Sequence, residues 1–181
     1  GSQDELDNML EQMAELVLDA GAMDVLVADT PAKIKDAWAA RSSFLEAIMH
    51  ETKLLDECDV VVPVNKIADY LDFVNKTGED CGLVIKSFGH AGDGNLHIYQ
   101  CSNDLEEEEF KSRVDKFFEI IYREATNCGG LVSGEHGIGN GRLEYLKPFV
   151  GDRMYKLYQS IKLAFDEKLI LNPGKMITFD E

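Results

Sequence analysis

Three of the four histidines in this chain fall in two glycine-framed stretches, Gly89-His90-Ala91-Gly92-Asp93-Gly94-Asn95-Leu96-His97 and Ser133-Gly134-Glu135-His136-Gly137. Imidazole is both a metal ligand and a proton carrier near neutral pH. Two imidazoles on one hairpin can hold one ion, and Glu135 is the candidate for a third ligand. Two histidines and a carboxylate leave coordination positions open, the pattern of a catalytic ion and not a structural one. His136, next in sequence, would then stand beside the ion as an acid–base group. The ordinary alternative is a glycine-rich turn with two surface histidines and a helix-capping Glu-His pair. The crowding of three histidines among glycines in two segments favours a site.

The elements that must position these groups can be read from the flanks. Residues 83–88 and 96–101 read as strands, joined by Asp93-Gly94, a dipeptide suited to a two-residue hairpin loop. That loop predicts the pairs Gly92 with Asn95, Ala91 with Leu96, and His90 with His97. The two histidines would be directly opposed, with Cβ atoms roughly 4.5–5.5 Å apart. Leu96 and Ile98 would face the other way, into a core. Glu135 lies in a segment whose glycines let the backbone pass close to other groups.

The first stretch, together with Ser133-Gly134-Glu135-His136-Gly137-Ile138-Gly139 and Asn172-Pro173-Gly174-Lys175, resembles the C-terminal domain of the FAD-linked oxidases. That family includes D-lactate dehydrogenase, the glycolate oxidase D subunit and D-2-hydroxyglutarate dehydrogenase. The resemblance covers about residues 5 to 178, with the three motifs in the family's order.

Composition agrees with a folded domain. The chain has 181 residues, 45% of them hydrophobic, and a formal charge of −16, long enough for a proper core. That charge repels nucleic acid and anionic membranes, so a small anionic substrate would need local positive charge. No apolar run reaches spanning length. Cys58, Cys81, Cys101 and Cys128 are widely spaced and read as reduced thiols of a cytoplasmic protein. Residues 1–3 read as a cloning scar and leader, and 4–181 as one domain.

Residues 4–20 carry an apolar stripe at helical spacing, Leu6, Met9, Leu10, Met13, Leu16 and Val17, stopped by Gly21. Residues 23–28 read as a short strand. Thr30 and Pro31 open a second helix, whose stripe runs Ile34, Ala37, Trp38, Arg41, Leu45 and Ile48. Arg41 on that stripe either lays its stem along the apolar face or turns inward to grip a carboxylate. Residues 59–63 are a strand ending at Pro63. Asn65 is expected to cap a helix through Thr77, closed by Gly78. A longer helix runs from about Ser102 to Asn127, with Phe110, Val114, Phe117, Phe118, Ile121 and Ala125 inward and Gly129-Gly130 at its end. Helices over 140–146 and from Asp152 to Leu169 finish the chain.

This alternation, with a hairpin in the middle, predicts an α+β domain: an antiparallel sheet with helices on one face. The resemblance implies a ferredoxin-like sheet with additional C-terminal helices. Because the chain opens on a helix, the family's first strand is expected to be missing. No strand–glycine loop–helix unit with a phosphate cradle is present, so the N-terminal FAD-binding domain is expected to be a partner outside this chain, and the domain alone inactive.

The resemblance also implies a chemistry: oxidation of a 2-hydroxy acid of D-lactate or glycolate type to the 2-keto acid, with hydride passing to FAD. Arg41 would bind the substrate carboxylate. A divalent ion, zinc-like or iron or manganese, on His90, His97 and Glu135 would polarise the hydroxyl. His136 would take the proton, and Asn172 would approach the flavin. The electron acceptor would be a quinone or an electron-transferring flavoprotein. Asp93 and Asn95 are expected to hold the hairpin. Two positions depart from the family and weaken the case for a dicarboxylate: several members place a lysine at position 57, and the 2-hydroxyglutarate branch places an asparagine at 99. Here they are Glu57 and Tyr99, with Lys53 the nearest substitute cation. Two rival classes use the same residues: a self-contained His/His/Glu metal hydrolase, and a small-ligand sensing module without chemistry.

Overall fold

The computed structural model describes residues 1–179. The chain divides into two compact units, the first Gly1–Ala47 and the second from Ile48 onward.

In the first unit, α1 (Gln3–Asp19) starts at a capping box. Ser2 Oγ accepts from the Glu5 amide at 3.3 Å, and Glu5 Oε2 accepts from the Ser2 amide at 2.7 Å, satisfying two otherwise open donors. Its expected stripe forms at helical spacing, yet no residue of α1 is buried. Residues 23–28 are not a strand. Met23 and Leu26 are exposed, and a short run without a ladder partner has nothing to hold it extended. α2 (Pro31–Ser42) opens as expected, with Thr30 Oγ1 accepting from the Lys33 amide. The single helix expected from 31 to 48 is two. It breaks at Ser43, and α3 (Phe44–Glu51) continues.

The second unit is built on three strands: β1 (Leu54–Val61), β2 (Val84–His90) and β3 (Asn95–Ser102). Both pairings are antiparallel, in the order β1-β3-β2. Between β1 and β2 run a single 3-10 turn, Val64–Lys66, and α4 (Ile67–Cys81). After β3 comes α5 (Glu107–Asn127). The run β-α-β-β-α supplies the first five elements of the ferredoxin-like pattern β-α-β-β-α-β. Beyond the free side of β1, the described residues contribute one antiparallel bridge, Val61 to Leu131.

Helices α4 and α5 cover one face of the sheet. Cys58, Val60, Leu96 and Ile98 meet Tyr70 and Val74 of α4 and the Phe110, Val114, Phe117, Phe118, Ile121 and Ala125 stripe of α5. The α5 stripe is core, as its 3.6-residue spacing predicts. Tyr70 buries its ring and donates from its hydroxyl to the Ile121 carbonyl at 2.9 Å, so that hydroxyl is paired.

Several boundaries differ from expectation. β1 begins five residues before Asp59. Asn65 caps nothing, since α4 starts from a 3-10 turn without a side-chain cap. Gly78 lies inside α4, where Ile85 occupies the space a Cβ would need, and Gly82 in the left-handed region ends the helix. α5 starts at Glu107, five residues after Ser102. The two expected C-terminal helices run consecutively as α6 (Leu143–Phe165) and remain two, separated at Gly151, which leaves helical geometry at φ 73° and ψ 165°; only their outer limits differ from expectation.

The hairpin register also differs. The turn is four residues, 91–94, with the amides of Asp93 and Gly94 both donating to the His90 carbonyl at 3.0 Å. His90 pairs with Asn95, and His97 pairs with Phe88. Asp93-Gly94 therefore lies inside a longer turn, with Gly94 at φ +75° and a Cβ there only 1.9 Å from the Val62 carbonyl. The slip is two residues. Side chains alternate with period two, so an even slip keeps every residue on its expected face. His90 and His97 become diagonal neighbours on the same face.

Candidate functional site

The site forms on the sheet face opposite α4 and α5, a face on which Ile48 of α3 also packs. Strand alternation puts Glu57 and Asp59 of β1 on this face, with Cys58 and Val60 pointing into the core. β3 adds Asn95, His97 and Tyr99, and β2 adds Phe88 and His90. The loop 133–136 comes over this surface from beyond α5.

Asp59 holds the loop. Its buried carboxylate Oδ2 accepts from the backbone amides of Gly134 (2.9 Å), Glu135 (2.9 Å) and His136 (2.8 Å), and from Ser133 Oγ at 3.2 Å. Its Oδ1 accepts from Asn95 Nδ2 at 2.9 Å. Burial works to raise the Asp59 pKa. The donors from His136, Asn95, Gly134 and Glu135 outweigh it and hold the carboxyl below its ordinary range. Gly134 is needed here, because a Cβ on it would fall 1.6 Å from Asn95 Nδ2 and 2.7 Å from Asp59 Oδ1.

This anchoring brings Glu135 onto the two hairpin histidines. Its Oε1 lies 3.4 Å from His90 Nε2 and 3.2 Å from His97 Nε2, and the three donor atoms lie within 4.8 Å of one another. Ligands bonded at about 2.0–2.2 Å around a tetrahedral ion stand about 3.4 Å apart, so these spacings fit a zinc-sized cation. The His97 side chain is 5% exposed, whereas those of His90 and Glu135 are about half exposed. The three expected ligands therefore come together, one buried and two open to solvent.

His136 stacks on His97, with ring centroids 4.8 Å apart and planes at 24°. His90 meets His97 edge-on at 5.7 Å. Below them, Glu57 Oε1 lies 3.4 Å from His136 Nδ1 and 3.5 Å from His97 Nδ1, and it accepts from the Tyr99 hydroxyl at 3.1 Å. Glu57 and Tyr99 are opposed across the β1–β3 ladder, so the two positions that depart from the family bond to each other. The Glu57 carbonyl accepts from Arg142, whose guanidinium also pairs with Asp56 at 3.1 Å and lies over the Phe118 ring.

Asn95 bridges Asp59 to the hairpin, as its expected holding role requires. Two further residues were expected to serve the substrate and the flavin. Arg41 is in the last turn of α2, in the first unit. Asn172 sits in the turn after α6, at φ 46°, and its carbonyl accepts from the Lys175 amide. Sequence reasoning misses Asp59, and it marks Glu57 and Tyr99 only as departures from the family's substrate-contacting residues. The available signal was charge at alternate positions of a strand whose other face is apolar.

Residues 1–176 match the family model described as FAD linked oxidases, C-terminal domain. Among curated proteins, the chain is 54% identical over 175 residues to a D-lactate dehydrogenase of Anaerostipes hadrus, covering 97% of the chain and 37% of that protein. It is 35% identical over 168 residues to a D-lactate dehydrogenase of Archaeoglobus fulgidus, covering 92% and 36%. It is 32% identical over 182 residues to the glycolate oxidase subunit GlcD of Bacillus subtilis, covering 99% and 38%. The chain thus spans little more than a third of the length of these relatives. Among the described residues, no helix is long and apolar enough to cross a membrane.

Proposed function

The chain belongs to the FAD-linked oxidases, through their C-terminal domain, and from that premise we propose that it is the substrate-side domain of an FAD-dependent 2-hydroxy acid dehydrogenase of D-lactate or glycolate type. The observation that carries the reading is the convergence of His90, His97 and Glu135, with His136 stacked on the same cluster.

FAD, held mainly by an N-terminal domain of the same enzyme, supplies the hydride acceptor. A divalent ion fits the His90, His97 and Glu135 donor set and, when bound, supplies Lewis acidity toward a hydroxyl. The remaining work falls to this chain's side chains. Arg41 is proposed as the partner of the substrate carboxylate on its chemistry, a planar fork of donors matched to two oxygens. His136 takes the hydroxyl proton as the C2 hydride leaves, so one proton and one hydride are lost and the 2-keto acid results. The Glu57 carboxylate beside His136 opposes a second carboxylate on the substrate, which favours monocarboxylates such as lactate and glycolate. A quinone or an electron-transferring flavoprotein is the proposed acceptor for the reduced flavin.

The test joins the chain to its flavin domain and follows flavin bleaching with D- and L-2-hydroxy acids under anaerobic conditions. The reading expects bleaching by D-lactate or glycolate and its loss in His136→Ala with metal content unchanged. Equal bleaching in His136→Ala would remove that residue from the mechanism. No bleaching by any hydroxy acid would sink the assignment.

A further inference from the structure

We propose that Glu57 is a positioning residue that sets the tautomer of both His97 and His136, keeping Nε2 of the first bare for an ion and Nε2 of the second bare to receive a proton. The inference rests on the function proposed above and adds to it the group that orients the ligand and the base together.

Both Nδ1 atoms approach one oxygen. Glu57 Oε1 stands 3.5 Å from His97 Nδ1 and 3.4 Å from His136 Nδ1. The near-parallel stacking of the rings aligns those edges. His97 Nδ1 is buried and has no hydrogen-bond partner, and Glu57 Oε1 is the carboxylate oxygen beside it. A neutral imidazole carries one proton. With His97 Nε2 turned to Glu135 and the ion position, that proton belongs on Nδ1, where burial requires an acceptor. Glu57 is the acceptor in place, and the same logic applied to His136 leaves its Nε2 as the free base.

Glu57 is itself held. Tyr99 donates to Oε1 from the opposite strand, and Arg142 ties down the backbone carbonyl. All three groups converge on the one oxygen Oε1, an acceptor with more than one lone pair. Glu57, His97 and His136 also form a three-donor group that could be read as a second ion site. That reading would require His97 to bridge two ions through both nitrogens with no proton left, so ion stoichiometry separates the two.

The experiment uses the full chain with 15N-labelled histidine, titrated with zinc, and reads each tautomer from long-range 1H–15N correlations. The expected result is one zinc per chain, with His97 and His136 both protonated at Nδ1. Glu57→Gln, which keeps an acceptor oxygen, should preserve that pattern. Glu57→Ala should populate the Nε2–H form of His136 and weaken zinc binding about 10–100-fold, the usual loss when a ligand's orienting partner is removed. Unchanged tautomers in Glu57→Ala, Nε2–H on His136 in the parent, or two zinc ions per chain would each overturn the proposal. Should Glu57→Ala not fold, the parent spectrum and Tyr99→Phe, expected to loosen the same tautomers, still decide it. A parent that binds no zinc counts against the metal role proposed above, whereas one zinc with the wrong His136 tautomer sinks this inference alone.

Discussion

Replacing Asp59 by Ala tests whether one carboxylate builds the site. Asp59 receives three backbone amides, the Ser133 hydroxyl and the Asn95 amide, all at 2.8–3.2 Å. A hydrogen bond is worth about 1 kcal/mol net, and more when the acceptor is charged. The loop amides are only part-buried, so they can rehydrate in the variant, whereas buried Asn95 loses its acceptor outright. Together these effects set the expected loss at about 3–5 kcal/mol. For a domain of this size each kcal/mol moves Tm by about 2–4 °C, so a fall of about 6–20 °C is expected. Asp59→Asn keeps one acceptor oxygen and should lose about half as much. The assay is thermal unfolding followed by circular dichroism, with zinc affinity measured on the same samples. Glu135 and His136 ride on the anchored loop, so affinity should fall in parallel with Tm. A variant melting within 1 °C or so of the parent, far less than one lost bond would move it, with zinc affinity intact, would refute the argument that Asp59 holds the site together.

Other outcomes follow from the same geometry. Gly134→Ala should disrupt the loop, because its Cβ would strike Asn95 and Asp59; the readout is loss of zinc binding at near-parental secondary structure. Gly94→Ala should cost at least about 1 kcal/mol from its positive φ alone, and more from contact with the Val62 carbonyl, measured as a fall in urea midpoint. Phe117→Ala empties the centre of the helix–sheet layer and should cost about 3–5 kcal/mol, with no effect on the site beyond destabilisation. For pH, the Lys162 side chain beside Asp166 holds its carboxyl below the ordinary range, helped by the amides of Leu171 and Ile170. A depressed carboxyl contributes stability that is present above its unfolded pKa and lost as pH falls through the folded one. Hydrogen exchange at Ile170 and Leu171 should therefore become less protected on acidification below about pH 4, and Asp166→Asn should remove that dependence.

What could be read without coordinates was local and periodic. The α5 stripe, the Thr30–Pro31 helix start and the inward-facing Leu96 and Ile98 follow from spacing and turn chemistry. The shared face of His90 and His97 follows too, since alternation survives a register slip of two. Glu135 and His136 were candidates by residue type and glycine framing, and the motif resemblance agreed, but their approach to the hairpin is supplied by no local rule. The hairpin register was misread because Asp-Gly favours a tight loop only when nothing else competes. Here the His90 carbonyl takes two amides and the Gly94 carbonyl accepts from the Val62 amide at 3.0 Å, which stabilises a wider turn. The expected strand over 23–28 failed for a related reason, since extended residues need a ladder partner that sequence cannot provide.

The amino-acid order by itself determined which residue types were available, their alternation along each strand, and the glycines that let the chain turn. Tertiary structure decided that Asp59, on the first strand, would collect the amides of a loop 75 residues away. It also decided that Glu57 and Tyr99 would meet across two strands beneath the stacked imidazoles. The division has a physical cause. Side-chain direction is set by neighbours one or two residues away, whereas a carboxylate's hydrogen-bond partners are set by whichever donors the folded backbone brings within 3 Å or so.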